Sequence, residues 1–202
     1  MQIFVNKRAS GPLVPERGFT LLEVLITIVI LAFGLLGLVG LQTRMQLTEA
    51  EAFQRTQATL LLADMAARIS SNRTVVSQYG ADAGMVTLGT SVDDTTNCAV
   101  VTAGPARDMC EWSLALKGAS ETKGANNVGA MIGARGCIER LQAADTPSCT
   151  PAIYRVTVAW QGLQPTVASS LACGLNSYGA NDALRRVVPV EVVMPQLSCV
   201  PS

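Results

Sequence analysis

The longest apolar stretch of the chain covers residues 19–41 (FTLLEVLITIVILAFGLLGLVGL) and contains a single charge, Glu23. A helix rises ~1.5 Å per residue, so this stretch spans ~34 Å, enough to cross a bilayer core of ~30 Å. The pattern therefore predicts a transmembrane helix over residues 19–41.

The residues ahead of this stretch are polar and basic. Lys7, Arg8 and Arg17 stand against Glu16, which gives a net charge of +2. Positive flanks stay on the cytoplasmic side of a membrane, so the rest of a single-pass chain is expected on the far side. An ordinary secretory signal would show a small-residue cleavage site after its apolar stretch, and none follows Leu41.

Apolar residues recur at helical spacing beyond the apolar stretch, which predicts that the helix continues. We expect one helix from about Thr20 to Ser70, whose second half packs an apolar stripe on a globular domain. The stripe comprises Ala58, Leu61, Leu62, Met65, Ala66 and Ile69, and the opposite, wetter side carries Arg44, Glu51, Arg55 and Arg68.

Alternating apolar residues predict strands in the second half of the chain. In residues 153–160 (IYRVTVAW), every second residue from Tyr154 is large and apolar, which is typical of a half-buried strand. Residues 186–194 (RVVPVEVVM) read as another strand, and Pro189 places it at a sheet edge. Residues 105–117 begin with proline and precede Gly118, which favours a helix, although their alternation leaves a strand open.

These elements indicate an α+β protein in which a long amino-terminal helix packs on a small antiparallel sheet domain with long, disulfide-stapled loops. Six cysteines fall after the helix and none forms a C-x-x-C pair, which suits disulfides in an oxidising compartment. Among fifteen possible pairings, neighbour pairing (98–110, 137–149 and 173–199) is favoured because it closes short loops. The six cysteines are Cys98, Cys110, Cys137, Cys149, Cys173 and Cys199.

The composition argues against an enzyme. The chain has no histidine, which removes histidine-based triads, the commonest general base and the usual zinc ligand. We therefore expect no catalytic residue, no metal and no cofactor. Glu23 is the best functional candidate, because an ionisable group in a membrane segment costs at least ~2.5–3.5 kcal/mol. A position near the membrane interface is the alternative explanation for this carboxylate.

The residues from Gly18 to Glu23, together with the apolar stretch, resemble the class III signal of type IV prepilins and pseudopilins. That family shows a short basic leader ending in glycine, then Phe-Thr-Leu-x-Glu and about twenty apolar residues. The resemblance implies that a prepilin peptidase cuts between Gly18 and Phe19 and methylates the new Phe19 amine. It also implies that Glu23 docks the subunit in a filament. The expected organisation is a cleaved leader (1–18), a long helix (19–70) and a globular domain (71–202).

Scattered segments of the globular half resemble the PilV-like minor pilins, also called type IV pilus modification proteins. The segments are residues 135–138 (RGCI), 154–162 (YRVTVAWQG) and 185–188 (RRVV). The resemblance implies a low-copy subunit that primes pilus assembly with other minor pilins and the major pilin, with a tip adhesin as a further partner. Twitching motility and adhesion would follow. The chain would start in the bacterial inner membrane with its domain in the periplasm, and later reach the cell surface.

Two other functions stay open at this point. A minor pseudopilin of type II secretion carries the same amino-terminal signature. A membrane-anchored periplasmic enzyme or receptor is the alternative from another class, with Asp93 and Asp94 as its best acidic pair. Without residues 1–18, twelve basic and fourteen acidic side chains remain, so strong nucleic-acid binding is not expected.

Overall fold

The computed structural model describes residues 18–80, 84–92, 97–119, 122–123, 126–127 and 131–196. Two α-helices are present there, α1 (Leu21–Ser71) and α2 (Pro105–Leu116). The strands are β1 (Met85–Gly89), β2 (Thr122–Lys123), β3 (Asn126–Asn127), β4 (Arg135–Gln142), β5 (Ala152–Gln161) and β6 (Arg185–Met194), and 3₁₀ helices cover Arg73–Tyr79, Cys98–Val100 and Ala180–Asp182. Internal contacts divide the chain into two units, residues 1–46 and 47–202.

The described part of the first unit consists of residues 18–46, and its side chains are exposed throughout. Leu21 is 84% exposed and Phe33 is 72% exposed. In the described part of the chain, α1 is the one helix long and apolar enough to cross a membrane, with a mean hydropathy of 2.9 over its most apolar window. The long apolar helix predicted from the sequence is confirmed.

The second unit is built on a four-stranded antiparallel sheet in the order β1-β4-β5-β6. β5 is central: Val156 pairs with Ile138 of β4 and with Val190 of β6. β6 lies at an edge, as Pro189 predicted. β2 and β3 form a separate two-stranded antiparallel pairing. The predicted strands at 153–160 and 186–194 and the helix at 105–117 are confirmed.

The main core lies between one face of the sheet and the two helices. From α1, Ala58, Leu62, Met65 and Ile69 are buried, while Leu61 and Ala66 are partly buried, so the predicted stripe is confirmed. The Trp112 indole of α2 is fully buried, and its Nε1–H donates to the Leu61 carbonyl at 2.9 Å. This hydrogen bond satisfies a polar group that would otherwise be costly to bury.

The prediction for the wetter side of α1 is wrong at two of its four positions. Arg44 and Arg55 are exposed, but Glu51 and Arg68 are partly buried. Arg68 pairs with Asp108 (3.3 Å) and Glu111 (2.7 Å) of α2, and Glu51 pairs with Arg186 of β6 (3.1 Å). The physical reason is that α2 and β6 border α1, so flanking positions meet charged partners instead of solvent.

The outer face of the sheet, opposite α1, is partly covered by residues 162–184. Thr157 and Ala159, expected on the solvent side of a half-buried strand, are 4% and 0% exposed. They lie with Cys137, Cys173 and Tyr178, and the Tyr178 hydroxyl donates to the Ala159 carbonyl. The carboxyl-terminal half of β5 is therefore buried on both faces.

The disulfides confirm one predicted pairing and correct two others. Cys98 is bonded to Cys110, as predicted, and Cys137 is bonded to Cys173. The pairings 137–149 and 173–199 are therefore wrong. Cys137 faces the outer side of the sheet, and the overlying segment brings Cys173 to it across 36 residues. Cys149 is disulfide-bonded as well, and Cys199 lies outside the described residues.

A buried ion pair holds this segment in place. Arg185 is fully buried and contacts Asp182 at 3.2 Å. Its guanidinium also donates to the carbonyls of Ser169, Leu171 and Cys173. Asp182 accepts hydrogen bonds from the backbone N–H groups of Asn176 and Tyr178. The segment is thus fixed by polar contacts as well as by its disulfide.

The close approach of α2 to the sheet depends on Gly136. A Cβ at this position would lie 2.3 Å from the Trp112 ring and 2.6 Å from Leu116 Cδ1. Gly136→Ala should therefore destabilise the domain by about 1–3 kcal/mol or more through overpacking. Thermal unfolding of the oxidised protein measures the loss. Gly84→Ala is the control, because nothing lies within 4 Å of its Cβ; equal melting temperatures for both variants would contradict the packing.

Asp182 predicts a pH dependence of stability. Hydrogen bonds from the Asn176 and Tyr178 N–H groups, together with Arg185, lower the pKa of Asp182 below its usual value near 3.8, against the opposing effect of burial. A lowered folded-state pKa gives stability that is complete above about pH 4 and is lost as pH falls through the folded value.

Asp182→Asn should lower the melting temperature at pH 7, and the difference from the original protein should shrink as pH falls below 4. Asn adopts the positive φ of this position (54°) as readily as Asp does, so the variant tests charge rather than backbone strain. Asp64→Asn, in an exposed i,i+4 pair, should change little. A pH-independent deficit in Asp182→Asn would contradict the assignment.

Candidate functional site

The start of α1 is set by a side-chain cap. The Glu23 N–H donates to Thr20 Oγ1 at 3.2 Å, and the Val24 N–H donates to the Thr20 carbonyl at 3.2 Å. Thr20 is therefore the N-cap residue and the helix begins at Leu21. Gly18 and Phe19 lie outside the helix. The peptide bond between them, the predicted cleavage site, thus lies just ahead of the helix, one residue before the Thr20 cap.

Glu23 occupies the first turn of α1, three residues after the cap. The spacing Thr20-x-x-Glu23 is that of a capping box, in which the carboxylate would bond back to the cap N–H. Only the threonine half is formed here, and no described residue makes a hydrogen bond or ion pair with the Glu23 carboxylate. Among the described residues, nothing occupies the Glu23 carboxylate. The role of Thr20 was missed in the sequence, although the spacing signalled it.

The helix surface beyond Glu23 is apolar on every side. Phe19 is 83% exposed, and the large apolar residues from Leu21 to Leu41 are between 44% and 84% exposed. Gly34, Gly37 and Gly40 have no neighbouring atom within 4 Å of a built Cβ. No described part of the chain packs against these three glycines.

The acidic pair proposed from the sequence does not form a visible site in the described part of the chain. Asp93 and Asp94 lie outside the described residues. Within the described ranges, no three His, Cys, Asp or Glu side chains come together to hold a metal ion. The Asn72 side-chain amide is engaged within the fold, because it donates to the Arg68 carbonyl, Tyr79 Oη and Asp108 Oδ2.

Asn72 belongs to a polar cluster that joins α1 to α2. The Tyr79 hydroxyl donates to Asp108 Oδ2 and also contacts the Arg68 carbonyl. Burial, with the Asp108 hydrogen bond as the next cause, raises the pKa of Tyr79 well above its usual value. Tyr79 therefore stays protonated at all physiological pH values and acts as a hydrogen-bond donor. The cluster is satisfied internally, which indicates a structural role.

The Thr20 cap predicts a local effect on the first turn of α1. Thr20→Ala should cost about 0.5–2 kcal/mol of local stability, because the Glu23 N–H loses its acceptor, whereas Thr20→Ser keeps it. Amide hydrogen exchange of the full chain in detergent micelles measures this. We expect faster exchange at residues 21–24 in Thr20→Ala alone. Equal exchange in both variants would show that the hydroxyl does not cap the helix.

The same segment matches a known family model. Residues 15–39 match the model described as the prokaryotic N-terminal methylation motif. The match covers Gly18, Phe19, the Thr20 cap, Glu23 and most of the apolar helix surface. No curated protein and no solved structure matches the chain. The motif supports a type IV pilin-like prepilin signal, shared by pilins and pseudopilins, at the start of α1.

Proposed function

We propose that this chain is a minor pilin subunit of a type IV pilus. A prepilin peptidase removes residues 1–18 by cutting between Gly18 and Phe19, and the new Phe19 amine is methylated. The apolar half of α1 resides first in the inner membrane and then in a filament core. Residues 71–202 form the globular domain, which lies in the periplasm and later on the pilus at the cell surface.

The observation that carries the proposal is that the methylation motif coincides with an apolar helix surface that is exposed in the described part of the chain. Residues 21–41 contribute apolar side chains that are all exposed. Monomeric soluble proteins rarely expose a continuous apolar surface of this extent. A bilayer and a bundle of like helices are the two environments that cover it, and a pilin passes from one to the other.

Glu23 supports the same function through electrostatics. Its carboxylate lies in the first helical turn among exposed apolar side chains and has no partner among the described residues. In a low-dielectric helix bundle, an unpaired charge is costly and an opposite charge strongly favours one register. The methylated Phe19 amine of a neighbouring subunit is such a charge, and pairing with it would set the position of each added subunit.

The covalent structure of the globular domain supports a location outside the cytoplasm. Cys98–Cys110 and Cys137–Cys173 are bonded, and none of the described cysteines is free. Disulfides persist in oxidising compartments such as the bacterial periplasm. This agrees with the orientation in which the basic leader stays in the cytoplasm.

The choice of a pilus over type II secretion rests on the segments that resemble PilV-like minor pilins. Those at 135–138, 154–162 and 185–188 fall largely on β4, β5 and β6, which are adjacent in the sheet. The methylation motif itself fits either system. The proposed partners are the prepilin peptidase, other minor pilins, the major pilin and a tip adhesin. No catalytic role and no strong nucleic-acid binding belong to the proposal.

Mass spectrometry of a sheared surface-filament fraction tests the function. We expect this chain with an N-methylated Phe19 terminus, in low copy. A processed chain confined to the membrane would favour a pseudopilin, and an uncut chain would favour an anchored protein.

Gly18→Ala should leave the leader attached. Glu23→Gln should be processed and inserted but depleted in filaments, because it removes the charge alone; normal incorporation would contradict the docking role.

A further inference from the structure

A pocket of about 320 Å³ lies between α1 and the ends of β5 and β6, within residues 47–202. Its charged lining residues are Glu51 and Arg55 of α1 and Arg186 of β6, and its apolar lining includes Ala52, Trp160 and Val188. Ligand pockets in proteins begin at about this volume. None of the functions described above uses it.

Two hydrogen-bond donors in this pocket have no acceptor in the described part of the chain. Trp160 lines the pocket, and its indole N–H makes no hydrogen bond to a described residue, in contrast to that of Trp112, which donates to the Leu61 carbonyl. Arg55 is exposed, and its guanidinium makes no hydrogen bond or ion pair with a described residue. The Trp160 nitrogen is not among the fully buried polar atoms that lack a partner in the described residues. Both donors therefore remain accessible and can bond an acceptor that enters the pocket.

The charges that line the pocket favour an anion. Arg186 Nη2 lies 3.1 Å from Glu51 Oε1, and the same oxygen also accepts from the N–H groups of Leu163 and Gln164. The Arg186 and Glu51 charges therefore compensate each other. Arg55 leaves one uncompensated positive charge beside apolar walls. This combination suits a carboxylate on an aliphatic stem better than a fully hydrated inorganic anion.

The position of the pocket favours a protein as the source of that carboxylate. β6 is the edge strand of the sheet, so no further strand of the described sheet blocks the approach from that side. Tryptophan and arginine are enriched among residues that dominate protein–protein binding. We propose that this pocket receives an aspartate or glutamate side chain of a partner subunit, with Arg55 pairing the carboxylate and the Trp160 indole donating to it.

The choice of a pilus subunit as partner rests on the proposed function, whereas binding of the carboxylate does not. The first test is therefore made on the purified full chain in detergent micelles. The probe is acetyl-glutamate-amide, with acetyl-glutamine-amide as its neutral analogue and inorganic phosphate as a second anion. The readout is the indole N–H resonance of Trp160, with that of Trp112 as an internal reference, since the chain has two tryptophans.

We expect acetyl-glutamate-amide to shift the Trp160 signal saturably and the neutral analogue to leave it unchanged. Arg55→Gln should weaken binding about tenfold or more, the loss expected for a charged hydrogen bond. Arg73→Gln, outside the pocket, should bind normally, and all variants should melt at the original temperature. The absence of a Trp160 shift, or an equal response to phosphate, would overturn the proposal.

The second test concerns the partner. Arg55→Glu places a like charge against an acidic side chain, so the amount of this chain in sheared filaments should fall severalfold relative to Arg73→Glu. Removal of residues 1–18 and methylation of Phe19 should be unchanged, which separates this result from a failure of the pilin assignment. Equal incorporation of the two variants would show that no partner subunit uses the pocket.

Discussion

The structure depends on a single helix whose surface changes character along its length. Over residues 21–41, α1 exposes apolar side chains on every side, and over residues 58–69 it buries one stripe in the domain core. The first half therefore requires an environment that the described chain does not supply. The second half organises the domain. It binds α2 through the hydrogen bond from Trp112 to the Leu61 carbonyl and through the ion pairs of Arg68. It also contacts the 3₁₀ helix Arg73–Tyr79 through the Tyr79 hydroxyl, and β6 through the Glu51–Arg186 ion pair.

The sequence was sufficient for the elements with regular apolar patterns. The stripe on α1, the strands β5 and β6 and the helix α2 follow from periodicity, and Pro189 placed β6 at an edge. β4 was not predicted as a strand because its inward positions include Gly136, whose missing side chain makes room for Trp112. β1 was missed as well, because its five residues alternate too weakly to be read as a strand.

The candidate site was predictable in part. The apolar run and Glu23 are visible in the sequence because they are local, and the Thr20 cap follows from a three-residue spacing. The Cys137–Cys173 bond and the Arg55–Trp160 pocket were not predictable, because they join residues that only the strand order brings together. The same limit explains the mistake at Glu51 and Arg68, whose partners on β6 and α2 lie far away in the chain.

The segment that covers the outer face of the sheet has a consequence for the order of events in biogenesis. Residues 162–184 share a small apolar cluster with Cys137 and Ala159 of the sheet, and the Cys137–Cys173 bond and Arg185 help to fix their position. Thiols stay reduced in the cytoplasm. In the proposed topology, the Cys137–Cys173 bond can form only after this part of the chain has crossed the membrane, so the covalent fastening of this layer follows export.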